Sequence, residues 1–335
     1  MIVLRKPYLL YLGSATAPTD AKTGFGLRDW CGTDVLGEWS YTDATVRLGL
    51  PRLSPAEAAA QGAGSIVIGV APVGGVLPDT WLADLETALK SGLDVVSGLH
   101  TRLTSFPRLV AAAQAHGVRL IDVRHCVQHS QCATGARRSG KRLLTVGTDC
   151  ALGKKYTALA LTRALKDKGL PASFRATGQT GILIAGEGIP MDTQVADFIA
   201  GAAEALTPDN DPLHWDVIEG QGSLFHPAYA AVTLGLLHGS QPDAIVLCHD
   251  PSRRCLEGYP QVLIPPLAEV IALYLATGKL TNAKIRCIGI SINSSSLDEP
   301  TWRQYQSQLH SELGLAVCDP MRGGVDALVT AVRAL

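Results

Sequence analysis

Apolar residues along this chain fall into short unbroken runs, separated by longer stretches in which apolar positions recur three or four residues apart. A short continuous run marks a strand buried on both faces, and the spaced stretches are helices that cover it. In the first half, Tyr8 to Leu12, Ser65 to Val70, Leu93 to Ser97 and Arg119 to Val123 are predicted strands. Ser54 to Gln61, with Ser54 as N-cap, Thr80 to Ser91 and Phe106 to His116 are predicted helices. Their alternation predicts a Rossmann-like open parallel sheet.

From Cys132 to Lys141 the sequence turns small, polar and basic, which marks a linker between a domain at 1–135 and another at 141–335. Beyond it the alternation resumes, with strands expected at Arg142 to Val146, Ala172 to Ala176, Trp215 to Glu219, Ala244 to Cys248 and Ile285 to Ile292. The expected fold class is α/β: a Rossmann-like open parallel sheet followed by a P-loop NTPase-like parallel sheet.

The second assignment rests on the run Gly147-Thr148-Asp149-Cys150-Ala151-Leu152-Gly153-Lys154, which follows a strand and opens a helix near Lys154. Such a junction aims backbone N–H groups and a helix N-terminus at one point, where a phosphate binds. Two departures from G-x-x-x-x-G-K-[ST] decide how it reads. Thr148 stands at the strict first-glycine position, and Lys155 stands where a nucleotide hydrolase has its Mg²⁺-binding hydroxyl. An ammonium cannot ligate Mg²⁺ but pairs with another phosphate oxygen. Thr157 is turned too far round the helix to replace that hydroxyl. All of Gly147 to Lys155 are therefore assigned to anion binding rather than metal-assisted phosphoryl transfer.

A net charge of −1 and 5% aromatic residues give no case for a nucleic-acid partner or an anionic membrane. The start Met1-Ile2-Val3-Leu4-Arg5-Lys6 has no signal-peptide core, and no apolar run reaches the roughly 18 residues of a membrane span, so a cytoplasmic location is expected. Eight scattered cysteines without CxxC fit reduced thiols. His125, Cys126, His129 and Cys132 are metal-competent residue types, but structural zinc sites pair ligands from separated segments, and packing roles are favoured. No metal is expected. The loop Val70 to Gly75 lacks G-x-G-x-x-G, which disfavours a nicotinamide cofactor.

Asp216-Val217-Ile218-Glu219-Gly220-Gln221-Gly222-Ser223 ends an apolar strand in a carboxylate between glycines, where ligands of parallel sheets sit. Glu219 is the leading catalytic candidate, as general base or ligand anchor, and His226 the second. Gln221 falls in the same loop as a substrate contact. Arg175, among hydroxyls, an amide and glycines at another strand end, is a candidate carboxylate or phosphate anchor. Lys22 and Arg28 lie in a glycine-containing loop after the first strand and offer further cationic anchors for an acidic substrate. Asp192 is either a substrate contact or, with Thr193, the cap of the run Val195 to Leu206. Asn293, beyond the strand ending at Ile292, has the amide that reads a nucleobase edge.

Together, Gly147 to Lys154 and Glu219-Gly220-Gln221-Gly222-Ser223-Leu224 resemble the bacterial D-glutamate N-acetyltransferases. Pro7-Tyr8-Leu9-Leu10-Tyr11-Leu12-Gly13, Ala21-Lys22-Thr23-Gly24 and Met191-Asp192-Thr193-Gln194-Val195-Ala196-Asp197-Phe198 are similar to that family too, so the resemblance spans nearly the whole chain. It implies acetyl transfer from acetyl-CoA to the amine of D-glutamate, with acetyl-CoA as co-substrate and small molecules as partners. Attack by the amine needs a base, Glu219 or His226, and a lysine or glycine-loop amide at the thioester oxygen. A covalent route through Cys150 requires a neighbouring base that the sequence does not identify. The loop and the Glu-Gly-x-Gly strand end are also similar to dethiobiotin synthetase, which makes an ATP/Mg-dependent ligase or kinase the alternative, beside a noncatalytic CoA-binding protein. The apolar composition suits a homo-oligomer.

Overall fold

The computed structural model describes residues 3–335, apart from the Val73 side chain, so Met1 and Ile2 of the N-terminal stretch lie outside the described residues. The chain divides into two compact units, Met1–Gln128 with Gly178–Thr193, and His129–Thr177 with Gln194–Leu335. The boundary thus falls a few residues before the one expected at 135, and the segment 178–193, placed by sequence in the second domain, counts with the first unit.

In the first unit, strands β1 (Tyr8–Gly13), β2 (Val35–Ser40), β3 (Ser65–Ile68), β4 (Asp94–Ser97) and β5 (Leu120–Asp122) form a parallel sheet in the order β2-β1-β3-β4-β5. Around it lie helices α1 (Lys22–Trp30), α2 (Pro55–Ala60), α3 (Leu82–Lys90) and α4 (Pro107–His116). Ser54 is the expected N-cap, and it forms a full capping box: its hydroxyl accepts the Glu57 amide, and the Glu57 carboxylate accepts the Ser54 amide. Two elements depart from expectation. The supposed loop at Lys22 is helix α1, whose glycines permit tight packing: a Cβ on Gly24 would meet Leu48 at 3.1 Å and Leu12 at 3.2 Å. Strand β2 is hidden in sequence by Gly37 and by Glu38, a buried carboxylate that accepts the Leu48 amide at 2.6 Å.

The second unit starts with β6 (Lys141–Gly147), α5 (Lys154–Asp167) and β7 (Ala172–Arg175). The chain then supplies α6 (Gln179–Ala185) to the first unit, where Thr180 meets Thr23 at 2.9 Å between hydroxyls. The second unit continues with α7 (Ile199–Leu206), β8 (Trp215–Ile218), α8 (Ala230–Ser240), β9 (Ala244–His249), the hairpin β10 (Cys255–Leu256) and β11 (Tyr259–Leu263), α9 (Leu267–Gly278), β12 (Arg286–Ile292), α10 (Glu299–Leu313), β13 (Ala316–Cys318) and α11 (Asp326–Arg333). Six of these strands form one parallel sheet in the order β13-β12-β9-β6-β8-β7. Leu143, Val217 and Val246 of the sheet pack with Ala158, Leu161 and Leu165 of α5 in its core. No helix is long and apolar enough to cross a membrane.

Candidate functional site

Because all six strands run the same way, the residues that follow β6, β8, β9 and β12 gather at one edge of the sheet. This brings the Gly147–Lys155 loop, Glu219, His249 and Asn293 to the same side of the unit. Helix α5 starts at Lys154, and its N-cap Gly153 supplies no side-chain cap, so the first-turn amides face the loop. Ala151 holds a left-handed φ of 55° and Gly153 one of 103°; at Ala151 this costs about 1 kcal/mol of backbone strain.

The loop is held from several directions. Tyr274 of α9 donates its hydroxyl to the Gly147 carbonyl at 3.0 Å and accepts the Leu224 amide at 3.2 Å. Burial, despite these bonds, pushes its phenol up to about 12. Gly220 passes so close to β6 that a Cβ there would lie 1.7 Å from the Thr145 carbonyl and 3.1 Å from the Lys154 stem. The Lys154 ammonium is buried and donates to the Asp149 carbonyl at 2.7 Å. Burial lowers its pKa, against the favourable influence of Cys150, Cys248 and Asp149. Thr157 donates to the Gly153 carbonyl at 3.1 Å and lies 2.8 Å from the Ser291 hydroxyl, so it supplies no metal-facing oxygen.

Asp149 is fully buried and acts as the clasp of the loop. One oxygen accepts Arg253 and the Glu257 amide, both at 2.8 Å; the other accepts the Cys150 amide at 2.6 Å. Burial works against the Arg253 charge, but Asp149 and Glu257 outweigh it and raise its pKa. Arg253, in the segment joining β9 to the β10–β11 hairpin, was not singled out from sequence, where nothing separates it from Arg254 beside it.

The predicted residues fare differently. Glu219 is buried, and one of its oxygens accepts the Thr177 amide at 3.0 Å while its carbonyl takes the Thr177 hydroxyl at 2.6 Å. Gln221 donates to that same hydroxyl at 3.0 Å. His226 is buried between Tyr229, stacked at 4.6 Å, and the edge of Tyr259 at 5.1 Å. Its Nδ1 accepts the Ala228 amide at 3.2 Å, which puts the proton of the neutral ring on Nε2, toward the Glu257 carbonyl at 3.4 Å and Asp149 at 4.0 Å. In this arrangement His226 presents a hydrogen-bond donor, one of the two roles open to it from sequence.

Arg175 donates Nε to the buried Asp216 at 2.7 Å, which ties that edge of the guanidinium to the sheet. Asn293 donates to Asp250 at 3.1 Å and accepts the Ser295 amide at 3.3 Å, so both ends of the amide expected to read a base are engaged locally. Lys22, Arg28 and Asp192 belong to the first unit. Arg28 donates to Asp29 and to the Leu48 carbonyl, and Asp192 pairs with Arg124. Neither Asp192 nor Thr193 caps α7, which starts only at Ile199.

His125 and Cys126 bond to the carbonyls of His100 and Val123 in the first unit, whereas His129 and Cys132 belong to the second. Among the described residues, the set that brings potential metal donors together is instead Asp149, Cys150 and His226, within 4.8 Å of one another. The Arg253 guanidinium on Asp149 and the Nε2 proton of His226 both oppose a cation there.

His249, at the end of β9, is the residue sequence reading missed. Its Nδ1 lies 3.0 Å from the Thr148 hydroxyl. Burial lowers its pKa to about 4, with Asp250 opposing, so the ring is neutral near pH 7. The signal lay in Cys248-His249-Asp250, where the apolar run meets polar residues at a strand end beside the loop.

Residues 131–329 match a family described as a domain of unknown function (DUF1611_C), P-loop domain, and residues 37–126 match its Rossmann-like domain (DUF1611_N). A D-glutamate N-acetyltransferase of a Pseudoalteromonas species is 46% identical over 326 residues, 97% of this chain and 98% of that protein. One from Tritonibacter scottomollicae is 45% identical over 333 residues, 99% of this chain and 100% of that protein. A crystal structure of a DUF1611 family protein from Anabaena variabilis superposes with a TM-score of 0.88 at 35% identity, over 98% of this chain and 100% of that one.

Proposed function

We infer, from the premise that this chain belongs to the DUF1611 family, whose matched relatives include D-glutamate N-acetyltransferases, that it transfers the acetyl group of acetyl-CoA to the amine of D-glutamate. The observation that carries this reading beyond family membership is the loop itself: an anion cradle with Lys154 and Lys155 and no hydroxyl for Mg²⁺. Coenzyme A brings a pyrophosphate and a 3′-phosphate, and such a cradle holds phosphate without hydrolysing it. The uncapped first turn of α5, Lys154 and Lys155 are the groups suited to hold it, and acetyl-CoA supplies the activated acyl group.

Asp149 keeps the loop in shape through Arg253 and the Glu257 amide. The test is release of CoA from acetyl-CoA in the absence of ATP and Mg²⁺, with D-glutamate, L-glutamate and other amino acids as acceptors and an enzyme-only blank for thiol exchange. D-glutamate-dependent release, with N-acetylglutamate identified by mass spectrometry, is the expected result. No release with any amine, combined with Mg²⁺-dependent ATP turnover, would replace this reading by the dethiobiotin-synthetase-like one.

A further inference from the structure

We propose that His249 is the catalytic residue that carries the proton of the reacting amine; this rests on the acetyl-transfer reading above. Most ionisable groups at the sheet edge already hold local partners. Asp149 already accepts three donors, Asp250 is held by Ser252 at 2.6 Å and Asn293 at 3.1 Å, and Tyr274 both donates and accepts. Glu219 takes the Thr177 amide, and His226 carries its proton on Nε2 with Nδ1 closed by an amide.

His249 differs from all of these. Its Nδ1 is fixed by Thr148, the first residue of the anion loop after β6, and among the described residues Nε2 carries no hydrogen bond. The imidazole is thus oriented by the same loop that would hold the acyl donor, with one ring nitrogen available. When Nδ1–H donates to the Thr148 oxygen, Nε2 presents a lone pair. Burial leaves the ring uncharged at neutral pH and a weaker base than a free imidazole, so it takes the proton from the amine nitrogen only once the N–C bond has acidified it.

The ammonium form of the acceptor first releases one proton to solvent, and the free amine is the species that reacts. The amine lone pair forms the N–C bond to the thioester carbon, and the nitrogen, acidified by that bond, gives a proton to Nε2. The C–S bond then breaks, the electron pair leaves with sulfur, and the imidazolium returns the proton to the thiolate. Products are the amide, CoA thiol and the neutral ring, with no other reactant required.

The experiment uses the full chain and compares wild type with His249→Asn, whose amide keeps a partner for Thr148, and with His249→Ala. Isothermal titration with CoA and thermal melting are run beside steady-state kinetics. We expect kcat to fall by about 10²- to 10⁴-fold in both variants, the usual contribution of a general base. CoA affinity should stay within threefold of wild type, and added imidazole should restore part of the His249→Ala rate. A His249→Asn enzyme with kcat within threefold of wild type overturns the proposal. So does a rate loss that follows loss of CoA binding, because His249 would then only support the loop. If wild-type enzyme acetylates no amine, the acetyl-transfer reading fails instead, before the variants are compared.

Discussion

Asp149→Asn isolates the clasp of the anion loop, because the side chain keeps its shape and loses only acceptor capacity. Both carboxylate oxygens receive donors: Arg253 and the Glu257 amide on one, the Cys150 amide on the other. Whichever way the new amide faces, its NH₂ group meets a donor. In the better orientation the oxygen faces Arg253 and Glu257, so the Cys150 bond is lost, about 1 kcal/mol, and two charge-assisted bonds weaken by about 1 kcal/mol each. The expected loss is about 3 kcal/mol, which for a unit of 150–250 residues lowers Tm by roughly 6–12 °C. Calorimetry measures the shift, and a double-mutant cycle with Arg253→Met measures the coupling, expected to exceed about 1 kcal/mol. A Tm within about 2 °C of wild type together with additive effects would refute the clasp and assign loop rigidity to Tyr274 and Gly220.

Gly220→Ala places a methyl 1.7 Å from the Thr145 carbonyl and against the Lys154 stem, so the strand end must move; CoA affinity should fall by at least about tenfold, read by titration calorimetry. Lys154→Met keeps the stem but removes the buried charge and its bond to the Asp149 carbonyl; CoA affinity should drop about 10- to 100-fold while Tm holds or rises, since burying an ammonium is costlier than burying a thioether. Unchanged affinity in that variant would take Lys154 out of the anion site. Acid should weaken the fold through His249. Its folded pKa of about 4 lies below the unfolded value near 6.5, so the neutral ring contributes fully above about pH 6.5 and loses that contribution as pH falls toward 4. At pH 4.5 the loss is on the order of 2 to 3 kcal/mol, and urea midpoints at pH 7 and 4.5 should differ less in His249→Asn than in wild type; equal differences would contradict the burial argument.

Sequence by itself determined most of the alternation of strands and helices, the two parallel sheets and the P-loop after β6, because burial on both faces forces continuous apolar runs and a P-loop needs glycine and lysine at fixed spacing. It also pointed to the strand end at Glu219, since a carboxylate between glycines after an apolar run is a local pattern. Strand β2 escaped because Gly37 and Glu38 interrupt its apolar character, and only tertiary contacts make a buried Glu38 tolerable by giving it the Leu48 amide. Several hydrogen-bond partners at the site come from residues distant in sequence. Arg175 and Arg253 are chemically alike in the chain, yet one is tied to Asp216 within the sheet and the other to Asp149 at the loop. His226 and His249 differ as well: the Ala228 amide, two residues on, closes one ring nitrogen of the first, while Thr148, far away in sequence, orients the second. A side chain's chemistry depends on which of its hydrogen-bonding positions remain open, and that is decided only when the folded chain brings in its neighbours.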